Sequence, residues 1–331
     1  MIFYITRIFM IFILLLIFIS CADETAEPLS NAMKREVAFL PQNANMIGYI
    51  NFEQIKHSSF YELVMDSSRR DPFHSEEYLK FLEITGFDFE KDISELYFAA
   101  CLDSGEDNLQ GLFVAHGRFD EERLINYLRD HDKKNELVEE VYLSHTIYHL
   151  DKEQMTFSFF DSTTVVGGDR RHITTWLDSY NSTIQNEQHP LLQNIKNLKY
   201  KNGIWFTMTA EPLIRRMKRN EIGEKIQGLK NIKQGGFAFD FSDQLNLYAN
   251  CECTDSEKAG LLKDAIAGFI ATAKLSRSDE RDAVDILNKI DVQHKGKFVT
   301  VKFKMTKEEF EKLIEKKKTI AGKYKRKTGL L

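Results

Sequence analysis

Cysteine is scarce, at four in 331 residues. That is too few for the disulfide framework of a small secreted scaffold, and the chain is long enough to build a core without such staples. The short signatures of catalysis are missing as well. No G-x-S-x-G, H-E-x-x-H, P-loop or G-x-G-x-x-G occurs, which removes the common routes to a serine nucleophile, a zinc hydrolase and a bound nucleotide. No cofactor is therefore expected. Positive charge is not in excess either: the net charge is −5, and a mildly acidic body has no overall field to hold a polyanion, so no nucleic acid is expected as partner. The long apolar run from Ile8 to Ile19 falls short of the roughly 20 residues that a spanning helix needs. What remains is an ordinary globular composition, 43% hydrophobic and 29% charged, in a length that suits two domains or one duplicated unit.

The first twenty residues are the most informative. One positive charge, Arg7, precedes the apolar run, as in the core of a signal peptide. Phe18-Ile19-Ser20-Cys21 follows. Small Ser20 before a cysteine resembles the lipobox of bacterial lipoproteins, although that pattern prefers an aliphatic residue where Phe18 stands. The resemblance implies that residues 1–20 are removed, that Cys21 is lipidated, and that it becomes the new N-terminus, held at a membrane by its acyl chains. Each buried methylene is worth ~0.8 kcal/mol, so several chains hold essentially permanently. By the sorting rules of Gram-negative cells, Ala22 after the cysteine implies the outer membrane. Residues 21–35 are polar and include Pro28, so a flexible tether is expected. Cys101, Cys251 and Cys253 remain, an odd number that cannot all pair, and no structural disulfide is expected.

Beyond the tether, strands alternate with amphipathic helices, and the pattern occurs twice. The first copy (36–190) opens with an apolar strand at Ile47 to Phe52, with Asn51 placed to cap a helix. The second (191–319) opens in the same way at Gly203 to Met208. Each continues with a hairpin that runs into a helix, Leu96–Leu102 with Gly111–Gly117 and then Phe237–Phe241 with Leu245–Cys253. Asp120 is placed to cap the first of these helices, and Thr254 with Glu257 to form a capping box on the second. An additional helix, Glu76 to Ile84, belongs to the first copy. Each copy closes with another hairpin and helix, and Thr306 with Glu309 forms the capping box of the last. The order strand–helix–strand–strand–helix–strand predicts an α+β fold. It consists of two tandem ferredoxin-like units whose antiparallel sheets are covered by helices on one face. A basic tail, 320–331, follows. Thr85-Gly86-Phe87-Asp88-Phe89-Glu90-Lys91-Asp92-Ile93, together with Leu40-Pro41, Ala44 and Tyr49, resembles a recurring element of uncharacterised bacterial exported lipoproteins with such duplicated units. That family implies no activity.

Five groups of residues invite a functional reading. Cys251-x-Cys253 suggests a soft metal, but on a strand both thiols face the side of Leu247 and Ala249, where cysteine is a core residue. No metal site is expected. His145 and His149, near Asp151, lie on a strand about 13 Å apart at ~3.3 Å per residue, too far to share one ion. Gly167-Gly168-Asp169-Arg170-Arg171-His172 sits between a strand and a helix. Arg170 and Arg171 are the candidate anion-binding residues there, with Asp169 expected to occupy the helix end. Asp103 to Asn108 is an acidic loop without EF-hand spacing. The basic residues from Lys316 onward suit a mobile helix end or contact with an anionic surface. The expected function is that of a non-enzymatic module that binds an envelope protein or polymer or assists assembly, which predicts a filled core and an exposed patch; two other classes stand as alternatives. A carrier of an apolar ligand requires a sizeable apolar cavity. A hydrolase requires a nucleophile within hydrogen-bond reach of His116, His145 or His172.

Overall fold

In the computed structural model, residues 26–63, 75–101, 110–131, 137–150, 155–181, 189–217 and 230–315 are described. Cys21, the acidic loop, Asp151 and the tail from Lys316 lie outside them. The first half of the chain contains α1 (Asn31–Phe39), β1 (Met46–Asn51), α2 (Phe52–His57), α3 (Glu76–Thr85), α4 (Phe89–Asp92), β2 (Ile93–Cys101) and β3 (Gln110–Gly117). It continues with α5 (Glu121–His131), β4 (Leu137–Tyr142), β5 (His145–Leu150), β6 (Met155–Asp161), β7 (Thr164–Gly168), α6 (Arg170–Asn181) and α7 (Leu192–Asn197). The second half contains β8 (Ile204–Thr209), α8 (Ala210–Met217), β9 (Ile232–Asp240), β10 (Leu245–Cys253), α9 (Ser256–Ser276), α10 (Arg281–Asn288), β11 (Asp291–Lys295) and β12 (Phe298–Met305). A last helix covers 307–315.

The strands form one antiparallel sheet in the order β11-β12-β10-β9-β8-β1-β2-β3-β7-β6-β5-β4. Its centre is the pairing of the two opening strands, β1 and β8, in which Tyr49 stands opposite Trp205. The first and second halves of the chain thus share one continuous sheet. Each unfolds outward from that seam as three consecutive strands, a helix, and a return strand beside the third.

The ferredoxin-like wiring is not what forms. That pattern needs the first two strands parallel with a third between them, whereas β1 and β2 are antiparallel neighbours. No slot is left for an intervening strand, because β8 takes the other edge of β1. The close fit of β1 to β2 is built on Gly48. A Cβ there would lie 2.2 Å from Phe98 Cζ, so the phenyl ring occupies the space a side chain would need.

Helices also cover both faces rather than one. On the first face α1, α6 and α7 bury Met33, Val37, Trp176, Leu177 and Ile195 against Tyr49, Tyr97, Val114, Val166 and Trp205. On the second, α5 packs Ile125 onto Tyr148, Phe157 and Phe159, and α9 packs Ala259 onto Cys253 and Val299. The physical reason is visible in β2: Tyr97, Ala99 and Cys101 feed the first face, while Ala100 on the alternate face is buried as well. A strand apolar on both sides has to be covered on both sides.

Two local expectations change. The tether does not extend to residue 35: Ser30 accepts from Met33 N at 3.1 Å and caps α1, and Leu29 is already buried. The cap of α9 is Asp255, which accepts from Lys258 N at 2.8 Å, one residue later than Thr254. An acidic side chain at that end gains from the helix dipole as well as from the hydrogen bond. Asn51, Asp120 and Thr306 do cap α2, α5 and the last helix, with Thr306 and Glu309 bonding each other's backbone N–H.

Candidate functional site

The second face of the sheet carries a row of residues in register from one half to the other: Phe157, Gly167, Phe113, Phe98, Gly48, Phe206, Phe237, Ala249 and Val301. Large rings fill the centre and first half of this row, and small or β-branched residues the second-half end. Beyond the contact of Ala259 with Cys253 and Val299, α9 stands away from that end of the sheet. A cavity of about 420 Å³ lies between them, walled by Leu262 and Ile266 of α9, Ile214 of α8, and Met208, Phe237 and Val301 of the sheet. Gly235, Ala210 and Ala249 leave the space open, since none carries a side chain long enough to cross it. Cys251 is on the wall. Burial pushes its thiol up to about 12, so it stays protonated and serves as neither ligand nor nucleophile at neutral pH. None of the described residues that line the space is charged, and an ionised headgroup would find no partner among them.

The same face of the first half holds a second cavity, of about 280 Å³, beneath α5 and beside α3 and α4. Here Gly86 (φ +70) ends α3 in the left-handed conformation, and Asp88 caps α4 by accepting from Glu90 N at 3.0 Å. That turn sends Phe87 and Phe89 into the cavity wall. The phrase Thr85–Ile93 is therefore a helix stop and restart that aims two aromatic rings.

Of the residues singled out for chemistry in the sequence, Cys251 alone lies on a cavity wall, and the others do not converge on either cavity. Arg170 donates through Nε at 2.7 Å and through Nη2 to the Glu140 carboxylate of β4. This bidentate pair holds the Glu140 carboxyl down at about 2. Arg170 is thereby engaged with a carboxylate of its own chain, and Arg171 is left exposed beside it. Asp169 does not cap α6 with its side chain. Its carboxylate accepts from Gly111 N at 2.5 Å, tying the helix start to β3. His145 stacks on Phe160 at 4.8 Å, and His149 Nε2 approaches Glu140 at 3.4 Å; the two histidines share the strand and serve different neighbours. Cys251 and Cys253 face one side as expected, with Cys253 in the core beneath α9. Among the described residues no group of three or more potential metal ligands assembles.

Three arrangements were not legible in the sequence. Cys101 Sγ lies 3.8 Å from His172 Nε2, and His172 Nδ1 lies 3.5 Å from Asp169 Oδ2. The order thiol, imidazole, carboxylate is that of an activated nucleophile. Yet Cys101 is 2% exposed and packed among the aliphatic core of the first face, where a substrate has no access. His116 Nε2 lies 3.6 Å from the Glu36 carboxylate, linking β3 to α1. Lys201 is fully buried, its ammonium held by the carbonyls of Glu27 and Leu198, with desolvation lowering it to about 8. Its backbone N–H donates to the Glu27 carboxylate at 2.7 Å, so the chain is fastened to the body from Glu27 onward. The contacts of Cys101 with His172, of His116 with Glu36 and of Lys201 with Glu27 join residues distant in sequence, and no local pattern announces them.

No family model matches this chain, and no curated protein matches it. Among solved structures, one described as crystal form I of TP0453 is similar over 88% of this chain and 97% of its own, at 9% identity and a TM-score of 0.44.

Proposed function

We propose that this chain is a non-enzymatic lipoprotein of the bacterial cell envelope, anchored through Cys21, whose body carries an apolar ligand of aliphatic character in the cavity under α9. The leader and the Ser20-Cys21 junction support the anchor. The carrier reading rests on one observation, the carbon-walled space of about 420 Å³, a size within the ordinary range of ligand pockets. The space is half open to solvent, so a ligand can reach it without unfolding the core and would cover apolar surface now facing water. Branched aliphatic side chains dominate the wall, and none of the described residues lining it is charged. A hydrocarbon chain with its polar end left at the mouth fits that chemistry.

The decisive measurement is binding of parinaric acid, a linear fluorescent polyene acid, to the Cys21→Ser protein without its leader. The reading expects saturable binding that Ile266→Trp weakens tenfold or more. Absence of binding in the unmodified cavity sinks the carrier. Membrane fractionation and palmitate labelling of Cys21→Ser test the anchor separately, and unchanged retention removes it.

A second reading, docking to an envelope protein or polymer, is favoured by the outer side of α9. Leu261, Phe269 and Leu275 of α9 are exposed, Phe269 at 82%. The tandem character of the chain belongs with these proposals. The shared order of three strands, helix and return strand in each half supports duplication of one α+β unit, with β4 and β5 as additions to the first copy.

A further inference from the structure

We infer that the cavity beneath α5 is a second, chemically distinct binding site, and that it takes a planar ring-containing apolar molecule. The inference does not depend on the aliphatic carrier reading. It starts from the wall: seven phenylalanine rings line about 280 Å³, whereas one lines the larger cavity under α9. Both spaces occupy corresponding places on the same face, under the helix that follows the third strand of each half. Their walls have nonetheless diverged, from branched aliphatic on one side to aromatic on the other.

The rings pack on one another both edge-on and stacked, Phe81 on Phe89 at 5.6 Å and Phe87 on Phe119 at 5.5 Å being the stacked pairs. Phe87 meets Phe89 edge-on at 4.9 Å, Phe157 meets Phe159 edge-on at 5.9 Å, and Phe119 meets Phe159 at 6.3 Å and 66°. Aromatic pairs prefer offset or edge-to-face contact because the ring face is negative and the rim positive. A flat guest satisfies these surfaces together. A flexible chain presents only methylene groups to them and has to order its rotors to do so. The rim is formed by Phe89 and Met155, each 40% exposed, so a guest can enter without unfolding the core. Phe87 and Phe119 also border a polar cleft that contains Arg118, Arg123 and Ser162. A polar substituent on the ring therefore has a wet exit beside the apolar slot.

The test uses two probes on the Cys21→Ser protein without its leader: N-phenyl-1-naphthylamine, which is neutral and aromatic, and parinaric acid, which is linear. Leu128→Trp fills the α5 cavity and Ile266→Trp the α9 cavity. The expected result is saturable naphthylamine binding that Leu128→Trp weakens tenfold or more while parinaric acid binding is unaltered, with Ile266→Trp acting in the opposite sense. The retained site in each variant shows that the fold is intact. If Leu128→Trp loses both probes through unfolding, Met155→Trp, at a half-exposed rim position, narrows the same mouth and must reproduce the tenfold loss. The inference is overturned if naphthylamine does not bind, if it binds with the same affinity to the α5 variants, or if only Ile266→Trp displaces it. Naphthylamine binding under α5 without parinaric acid binding under α9 leaves this inference standing and removes the aliphatic carrier instead.

Discussion

At the scale of the residue, His116 is a partly buried group whose charge is tied to the fold. It lies on β3 with Glu36 of α1 at 3.6 Å, the Tyr97 ring edge-on at 5.9 Å, and Thr164 Oγ1 at 3.4 Å. Burial alone would lower its pKa, but Glu36, helped by Glu95 and Asp161, carries it above the ordinary value. The protonated form is therefore favoured by folding. Its stabilisation is complete below the unfolded pKa of about 6.5 and disappears as pH rises through the higher folded value. His116→Gln should accordingly cost more stability at pH about 5.5 than at pH about 8.5, as read from urea midpoints. An equal loss at both would show that the pair is only a packing contact. Gly48 poses a steric question of the same size. Gly48→Ala pushes a methyl into Phe98 and should cost about 1–3 kcal/mol. Adding Phe98→Leu should return part of that loss, because the shorter side chain vacates the space over residue 48; a strictly additive double variant would place the strain elsewhere.

At the scale of the element, local chemistry was legible where it is self-contained. Asn51, Asp120 and Thr306 announce helix starts because a cap is made within three residues. Their hydrogen bonds form as the spacing predicts. At α9 the neighbouring Thr254 and Asp255 both qualify by type, and the carboxylate takes the cap. Asp255→Ala should then cost about 1 kcal/mol, and Thr254→Ala a few tenths at most. The reverse order in thermal unfolding would restore the threonine cap. Helix α1 was missed because its polar letters resemble a spacer, while the burial that defines it comes from Met33 and Val37 meeting a distant sheet. The common face of Cys251 and Cys253 could be read from alternation alone. The cavity it borders could not, because its walls on α8 and α9 lie apart in sequence and the space exists only between them. Coverage of both sheet faces did leave a trace. The unbroken apolar run Leu96 to Cys101 lacks the polar alternation of a half-exposed strand.

At the scale of the whole molecule, the seam between β1 and β8 decides whether the protein behaves as one unit or two. Whatever unit boundary the sequence suggests near residue 190, the sheet is continuous from one half to the other through five paired positions, Met46–Ile50 with Ile204–Met208. Tyr49 stacks against Tyr97 of its own half at 4.8 Å and against Trp205 of the other at 5.9 Å, so one ring is part of both cores. Separating the halves would expose two long apolar edges at once, a situation sheets avoid because open edges recruit other chains. Trp205 is fully buried at this junction. Trp205→Ala should cost roughly 3–5 kcal/mol and should lower amide protection in β3 and β10 together, although those strands lie on opposite sides of the seam. Hydrogen exchange followed strand by strand distinguishes the alternatives. Loss confined to β8–β12, with β2, β3 and β7 unchanged, would mean that the halves fold as independent units that merely touch. A common loss means that each half depends on the other for its innermost edge, and that both cavities lie on a single cooperative frame.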